Sequence, residues 1–260
     1  MLLKRLCREG IIYSSNYIDC IAKSIWKKDG NSITFFVRIG HFQTYVNILK
    51  VHKDSKEFVR KTMSSGAYSK VYVLDIEGRN CVVKSQKIET QDRATLNFRI
   101  DEVLRELIFY KIASILRFGP YLEKVLGYDI ICYNDSIEFA MELCDDVKEP
   151  HSNEFERDLM EGMKKMHSLQ IVHRDIKPAN VGWSPSFRKW VFLDFGFAKN
   201  LQQTIGFKTR SKFIGSYPYA TKELQQIHDL GICGWVDFYH NDLHGLKKVL
   251  KVLNENLEKE

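Results

Sequence analysis

Several absences narrow what this chain can be. No stretch approaches 18 consecutive apolar residues, so no membrane-spanning helix is expected. The basic start Met1-Leu2-Leu3-Lys4-Arg5 is not followed by the apolar run that a secretory signal needs, so none is expected. The six cysteines (7, 20, 81, 132, 144 and 233) are scattered, with no Cys-x-x-Cys pair. That spacing argues against a disulfide or zinc framework and for reduced thiols in a cytosol-like compartment. A dense Lys/Arg block is also missing. The net charge of +6 is spread along the chain, and nucleic-acid binding is not indicated by it. There is no internal repeat and no low-complexity linker.

What is present suffices for a core: 260 residues, 44% of them hydrophobic, make one large domain or two small ones. Residues 1–56 carry no chemistry and read as an extension packed on the rest. Within it Ile18, Ile21 and Ile25, with Tyr17 and Trp26, predict a helix over 14–27. Asp29-Gly30-Asn31 is a turn, Ser32 to Ile39 a β-rich run, and Thr44 to Val51 its partner strand. From Glu57 a hairpin is expected around a turn at Met63 to Ser69. Gly78-Arg79-Asn80 then turns into the strand Cys81-Val82-Val83-Lys84. Ile100, Val103, Leu104, Leu107, Ile108, Ile112, Ile115 and Leu116 predict a helix over 94–117, stopped by Phe118-Gly119-Pro120. Glu102 and Glu106 share one face of it. Two strands follow, Val125 to Tyr133 and Ser136 to Leu143, and then a helix from Phe155 to Leu169.

The chemistry is concentrated between Ile171 and Gly196. Asp175 stands in a polar loop with Lys177 two residues on and Asn180 five residues on; Asp194 follows the apolar run Trp190-Val191-Phe192-Leu193 and precedes Phe195-Gly196. Asp175 can accept a hydroxyl proton, Lys177 can neutralise charge on a moving phosphoryl group, and Asn180 and Asp194 offer hard oxygens to Mg²⁺. One Asp before a Gly is usually just a turn. Two such motifs a short hairpin apart, each with a strand-like run leading into it, point to a built site.

H-R-D-x-K-x-x-N at 173–180 followed by D-F-G at 194–196 resembles the catalytic and metal-binding loops of the eukaryotic protein kinase family. The resemblance covers about 57–260. It implies an α+β, two-lobed kinase-like fold: a small antiparallel sheet with one helix at 57–143, and a reduced, mainly helical large lobe at 144–260, with ATP and Mg²⁺ bound between them. Ser64-Ser65-Gly66-Ala67-Tyr68-Ser69-Lys70-Val71 lines up with the phosphate-covering loop G-x-G-x-x-G-x-V, keeping only the middle glycine. Val82 and Lys84 match the V-A-I-K strand, so Lys84 is expected to hold the α- and β-phosphates and Glu106 to pair with it. Phe139 to Cys144 resembles the strand running into the hinge, with Met141 as gatekeeper and the backbones of Glu142 and Cys144 bonding adenine. Gly182 departs from the family, which places an apolar floor for adenine there; Val181 or Trp183 would compensate.

After the metal loop, Thr204, Thr209 and Ser211 lie among Lys199, Lys208, Arg210 and Lys212, and a phosphate at Thr209 or Ser211 would meet Arg174. Gly215 to Glu223 resembles the peptide-seating segment, with Glu223 expected to pair with an arginine. Ser216 and Lys177 favour Ser/Thr over Tyr substrates. Asp242 to Gly245 resembles the start of the central large-lobe helix, with Asp242 holding loop backbone. Apolar residues at 243, 246, 250, 253 and 257 predict its buried stripe, with Lys247, Lys248 and Lys251 on the remaining surface. The resemblance therefore implies a monomeric, intracellular Ser/Thr kinase acting on protein, with no membrane partner. Its divergence would suit a virus or intracellular pathogen acting in a host cell. Alternatives are a pseudokinase scaffold and a small-molecule phosphotransferase of the aminoglycoside-kinase kind.

Overall fold

The computed structural model describes residues 27–29, 32–39, 42–50, 61–65, 69–76, 79–87, 93–123, 129–132, 136–145, 154–201 and 208–257. They fall into two compact units, one of residues 1–112 and 121–143, the other of 113–120 and 144–260. Apart from Lys27, the helix expected over 14–27 lies outside the described residues.

The first unit is built on one sheet. Its strands are β1 (Lys27–Asp29), β2 (Ser32–Ile39), β3 (Phe42–Lys50), β4 (Lys61–Ser65), β5 (Ser69–Ile76), β6 (Arg79–Lys87), β7 (Leu122–Glu123), β8 (Ile130–Cys132) and β9 (Ser136–Glu142). They run in the order β1-β2-β3-β8-β9-β6-β5-β4, with β7 also on β9. β2 and β3 form a hairpin from Ser32↔Leu49 to Ile39↔Phe42, and β3 joins β8 in the one parallel pairing among the described strands. Three strands from the first fifty residues thus belong to the same sheet as β6. The turn expected at Met63 to Ser69 is shorter: pairing continues to Ser65↔Lys70, past a register shift between Thr62 and Ser64. Of the strand expected from Val125 to Tyr133, Ile130–Cys132 forms β8, and residues 125–128 and 133 lie outside the described residues.

Burial alternates along β6 as the two-residue period of a strand requires: Cys81, Val83 and Ser85 are buried, while Val82, Lys84 and Gln86 are half-buried on the other face. Helix α1 (Arg93–Leu116) meets that second face. Val103, Leu107, Ile108 and Ile112 are its buried apolar positions, and Tyr110 packs on Phe139 of β9 with ring centroids 5.5 Å apart. Ile115, expected inside, is 48% exposed, because Ala113 and Ser114 take the buried positions of the last turn. Arg117, at φ 58°, ends the helix, and Phe118 N–H returns to Ala113 O at 2.9 Å.

The second unit contains α2 (Phe155–Ser168), β10 (Ile171–Val172), β11 (Val181–Ser184), β12 (Lys189–Phe192), β13 (Lys199–Asn200), β14 (Thr209–Ser211), α3 (Lys222–Asp229), β15 (Gly234–Val236) and α4 (Phe238–Leu257). Three antiparallel pairs, β10–β13, β11–β12 and β14–β15, brace its loops. Leu159, Met163 and Met166 recur at helical spacing along the buried face of α2. Gly162 sits where a Cβ would lie 3.1 Å from Phe118 Cβ and 3.2 Å from Phe192, so the small residue permits the close approach of β12. Asp158 accepts the Trp190 N–H at 3.2 Å, and Glu161 pairs with both Lys165 and Lys189 at 2.7 Å. Hydrogen bonds from Lys165 and then Lys189 hold the Glu161 carboxyl down at about 2.

Helix α4 forms, but its buried stripe differs from the expected one. Leu246, Val249, Leu250 and Leu253 are buried, whereas Leu243 is 38% exposed. The i, i+3, i+4, i+7 set from 246 is the wider stripe of a globular-protein helix, and it displaces Leu243 to the boundary. The side chain of Leu257 lies outside the described residues. Among the described residues no helix is long and apolar enough to cross a membrane.

Two predictions follow from this packing. Leu246→Ala should cost about 2–5 kcal/mol in denaturant unfolding, whereas Leu243→Ala should stay within about 0.5 kcal/mol. Equal costs would refute this register. The half-exposed Glu161 should contribute no more than about 1 kcal/mol. Its folded-state value is depressed, so its contribution is present above the ordinary 4.5 and is lost as pH falls towards about 2. The stability gap between wild type and Glu161→Gln, read in urea at several pH values, should close over that window.

Candidate active site

The loop after β10 is held from below by one carboxylate. Asp242, wholly buried in the first turns of α4, accepts the backbone N–H of His173 at 2.7 Å on Oδ2 and that of Arg174 at 2.8 Å on Oδ1. His167 Nε2 of α2 lies 3.3 Å from the same Oδ2. Arg174 adopts φ 70°, a left-handed conformation that turns successive N–H groups towards one acceptor. Its guanidinium donates to Phe197 O at 2.5 Å and lies 5.4 Å over the Phe238 ring.

His173 is fully buried and crosses the loop. Asp175 N–H donates to its Nδ1 at 3.4 Å, and its Nε2 meets Leu193 O at 2.8 Å, a pattern that fits the Nε2–H tautomer. The β11–β12 hairpin returns Leu193 to donate to Asn180 O at 2.9 Å. Asp194 is therefore delivered beside the loop; it is exposed, at φ 54°, and accepts the Gly196 N–H at 3.4 Å.

The carboxylate of Asp175 is buried, and its two oxygens differ. Oδ2 accepts from Lys177 Nζ at 2.8 Å and from Asn180 Nδ2 at 3.0 Å. Among the described residues no donor reaches Oδ1. Lys177 Nζ also donates to Ser216 Oγ at 3.0 Å, tying the loop to the segment that follows Gly215. Asn180 Nδ2 donates as well to Asp175 O at 2.9 Å, which commits the amide nitrogen to Asp175 and leaves Oδ1 as the acceptor of the group. The arrangement is a buried carboxylate held through one oxygen, with the Lys177 ammonium beside it and with Asn180 and Asp194 contributing oxygens of the hard type that Mg²⁺ prefers.

In the first unit Lys84 Nζ meets Glu106 Oε1 at 2.5 Å, and Gln86 Nε2 adds a bond to Glu106 Oε2 at 3.3 Å. Glu106 is buried, so this pair is shielded from water, and Glu102 instead sits near Arg105 at 3.9 Å.

A family model described as protein kinase domain matches residues 58–232, more than half of the chain. The chain belongs to the eukaryotic-type protein kinase family. Among curated proteins it is 29% identical over 167 residues to casein kinase II subunit alpha' of Saccharomyces cerevisiae, covering 59% of this chain and 45% of that one. It is 28% identical over 174 residues to mitogen-activated protein kinase kinase kinase 3 of Arabidopsis thaliana, covering 61% and 26%. With a non-specific serine/threonine protein kinase of Drosophila melanogaster it shares 27% over 112 residues, 39% of this chain and 16% of that one. The match spans less than half the length of each of these relatives.

Other kinase positions are placed as follows. Ser64 and Ser65 end β4, Ser69 and Val71 lie in β5, and Gly66, Ala67 and Tyr68 lie outside the described residues. Met141 is buried in β9 opposite Val82. The N–H of Glu142 is engaged by Tyr121 O at 2.9 Å, and its side chain accepts the Tyr121 N–H at 2.6 Å. Cys144, in the second unit, is half-buried. Next to it Asp145 and Trp183 exchange backbone bonds of 2.9 and 3.1 Å. Thr209 and Ser211 lie in β14, paired with β15.

Glu223 is a correction. Its partner is Lys208 at 3.0 Å, not an arginine, and both side chains are exposed. A pair of that kind is worth 0.2–1 kcal/mol at most. Sequence reading missed Gln86, which its two-residue offset from Lys84 could have flagged, and it gave no backbone constraint for Gly215. The latter has φ 100°, and a Cβ there would fall 2.3 Å from Arg174 O.

Gly215→Ala combines a backbone clash with a left-handed conformation. It should therefore lower any turnover far more than it lowers the melting temperature, because the loop must shift while the core is untouched. A variant with wild-type kinetics would contradict this packing. Asp242→Ala leaves the buried His173 N–H and the part-buried Arg174 N–H without their acceptor, at about 1–3 kcal/mol for the buried one. Urea unfolding should show a loss of that order, with Asp242→Asn in between.

Proposed function

We propose that this kinase is catalytically active and transfers the γ-phosphate of ATP to Ser or Thr hydroxyls of proteins. The observation that carries the reading is the asymmetry of Asp175. Leaving a buried carboxylate oxygen without a donor is costly in a purely structural role. Here Lys177 and Asn180 fix Oδ2 and turn Oδ1 to where a hydroxyl could donate. Asp175 would orient that hydroxyl and take its proton, a contribution of about 10²–10⁴-fold. Lys177, bridging Asp175 and Ser216, would offset negative charge on the transferring group, and its bond to Ser216 supports Ser/Thr substrates.

The donor set fits Mg²⁺: one carboxylate and one amide oxygen, a short protein contribution of the kind that leaves the remaining positions to water and phosphate. Asn180 Oδ1 and Asp194 would hold the ion, which when bound neutralises phosphate charge. Lys84, paired with Glu106, is assigned to the α- and β-phosphates. Met141, Val82, Glu142 and Cys144 are assigned to the adenine, and the Ser64 to Val71 segment to the phosphates. An intracellular compartment is proposed on the scattered spacing of the six cysteines in the sequence, with no Cys-x-x-Cys pair. A monomer is proposed.

Purified protein with Mg²⁺-ATP should label itself or a generic protein substrate, with label on phosphoserine or phosphothreonine. Asp175→Ala should remove turnover and keep nucleotide binding, and Asp194→Ala should weaken metal-dependent nucleotide binding. Equal labelling by wild type and Asp175→Ala would show that the chain is a scaffold.

A further inference from the structure

The function above uses one face of α4 and leaves another unexplained. Asn241, Asp242 and Gly245 face the catalytic loop. Asn241 accepts the Thr221 N–H at 3.1 Å, and a Cβ on Gly245 would lie 3.0 Å from Ile176 O. A small cavity beside Asp175 is lined by Ile214, Ser216 and Tyr219, with Asn241 and Gly245 closing its α4 side. Along the flank of that helix run His240, His244, Lys247, Lys248 and Lys251. Their i, i+4, i+7, i+8, i+11 spacing makes a single row.

This row is concentrated and continuous with the peptide-seating segment. Lys248 Nζ donates to Pro218 O at 2.7 Å, so the row meets that segment at its fourth member. His240 and Lys247 are exposed, and the Lys251 side chain is 77% exposed. The His244 imidazole is pushed down by burial and then by Lys248, His240 and Lys247. Carboxylates stand apart from the row's centre: Glu255 lies 3.7 Å from Lys251 at the far end, Asp237 accepts the His240 backbone N–H, and Asp242 faces the loop. The half-exposed Leu243 adds apolar surface beside it.

Resting on the kinase reading above, we infer that this row of α4 docks an acidic segment of the protein substrate, a few residues away from the hydroxyl presented to Asp175. From Gly245 to Lys251 the helix rises about 9 Å, which an extended peptide covers in about three residues. The geometry favours one narrow strand of carboxylates leaving the peptide seat. Charge complementarity of this kind steers encounter and fixes register more than it adds contact energy.

The test uses peptides sharing one neutral Ser-containing core, alone or with a run of glutamates on its N-terminal or C-terminal side. Wild-type protein should show a KM about tenfold lower for one tailed peptide with kcat little changed. The double variant Lys247→Glu/Lys251→Glu should lose that advantage while keeping its activity on the neutral core. Fluorescence anisotropy of the tailed peptide without ATP should show the same loss of affinity. No benefit from either tail, or a benefit that survives the double variant, overturns the proposal. So does tighter binding of a single-stranded oligonucleotide or of phosphatidylserine vesicles that the same variant abolishes, since the row would then serve nucleic acid or lipid. Absence of turnover on every peptide would sink the kinase reading alone, because anisotropy still reports docking.

Discussion

The second unit depends on a carboxylate that touches no substrate. Asp242 is fully buried, and such a group is tolerated only when its lone pairs are filled. The donors are the N–H groups of His173 and Arg174, with His167 alongside. Neutral dipoles thus stabilise the charge, and in exchange the backbone immediately before Asp175 is fixed on the rigid helix α4. The left-handed conformation of Arg174 is the local cost of turning both N–H groups the same way. The Arg174 side chain, held at Phe197 O and over Phe238, supports that conformation from the other end.

Once the loop is anchored there, its neighbours have little room. Gly245 presses against Ile176 on one side and Gly215 against Arg174 O on the other, and at each position a methyl group would meet backbone. This confinement lets short polar contacts govern the chemistry. Lys177 spans Asp175 and Ser216 only because Gly215 brings the next residue within 3.0 Å of its Nζ. Site and packing are therefore coupled through two glycines that carry no functional group.

Legibility in the sequence followed the length of the signal. The helices α1 and α2, the β11–β12 hairpin and the Lys84–Glu106 pair were readable because each has a period or a motif of several residues behind it. Asp242 was readable from its motif, although the face of α4 was misjudged at Leu243. A stripe chosen from leucines alone overlooked Val249, which takes the buried place. The partner of Glu223 was not readable, since it depends on where a lysine fifteen residues earlier comes to lie. The union of the β2–β3 hairpin with β8 is a parallel pairing across some eighty residues of chain, and no local pattern announces it.

Gly182 shows how a departure from family pattern can have a local physical cause. The family places an apolar side chain there, and its loss resembles decay of a nucleotide site. In this chain the backbone of Asp145 pairs with Trp183, which draws residues 144 and 145 across Gly182. A Cβ at that position would lie 3.0 Å from Cys144 Cβ, 3.1 Å from Leu193 Cδ1 and 3.2 Å from Asp145 O. Those distances are tighter than ordinary contact on three sides, so the bridge and a larger side chain compete for the same space. The neighbours follow: Val181 is buried, and Trp183 packs edge-on to Trp190 at 6.0 Å. The glycine is thus accounted for by the path of the chain, and its presence is not by itself an argument that nucleotide binding has been lost.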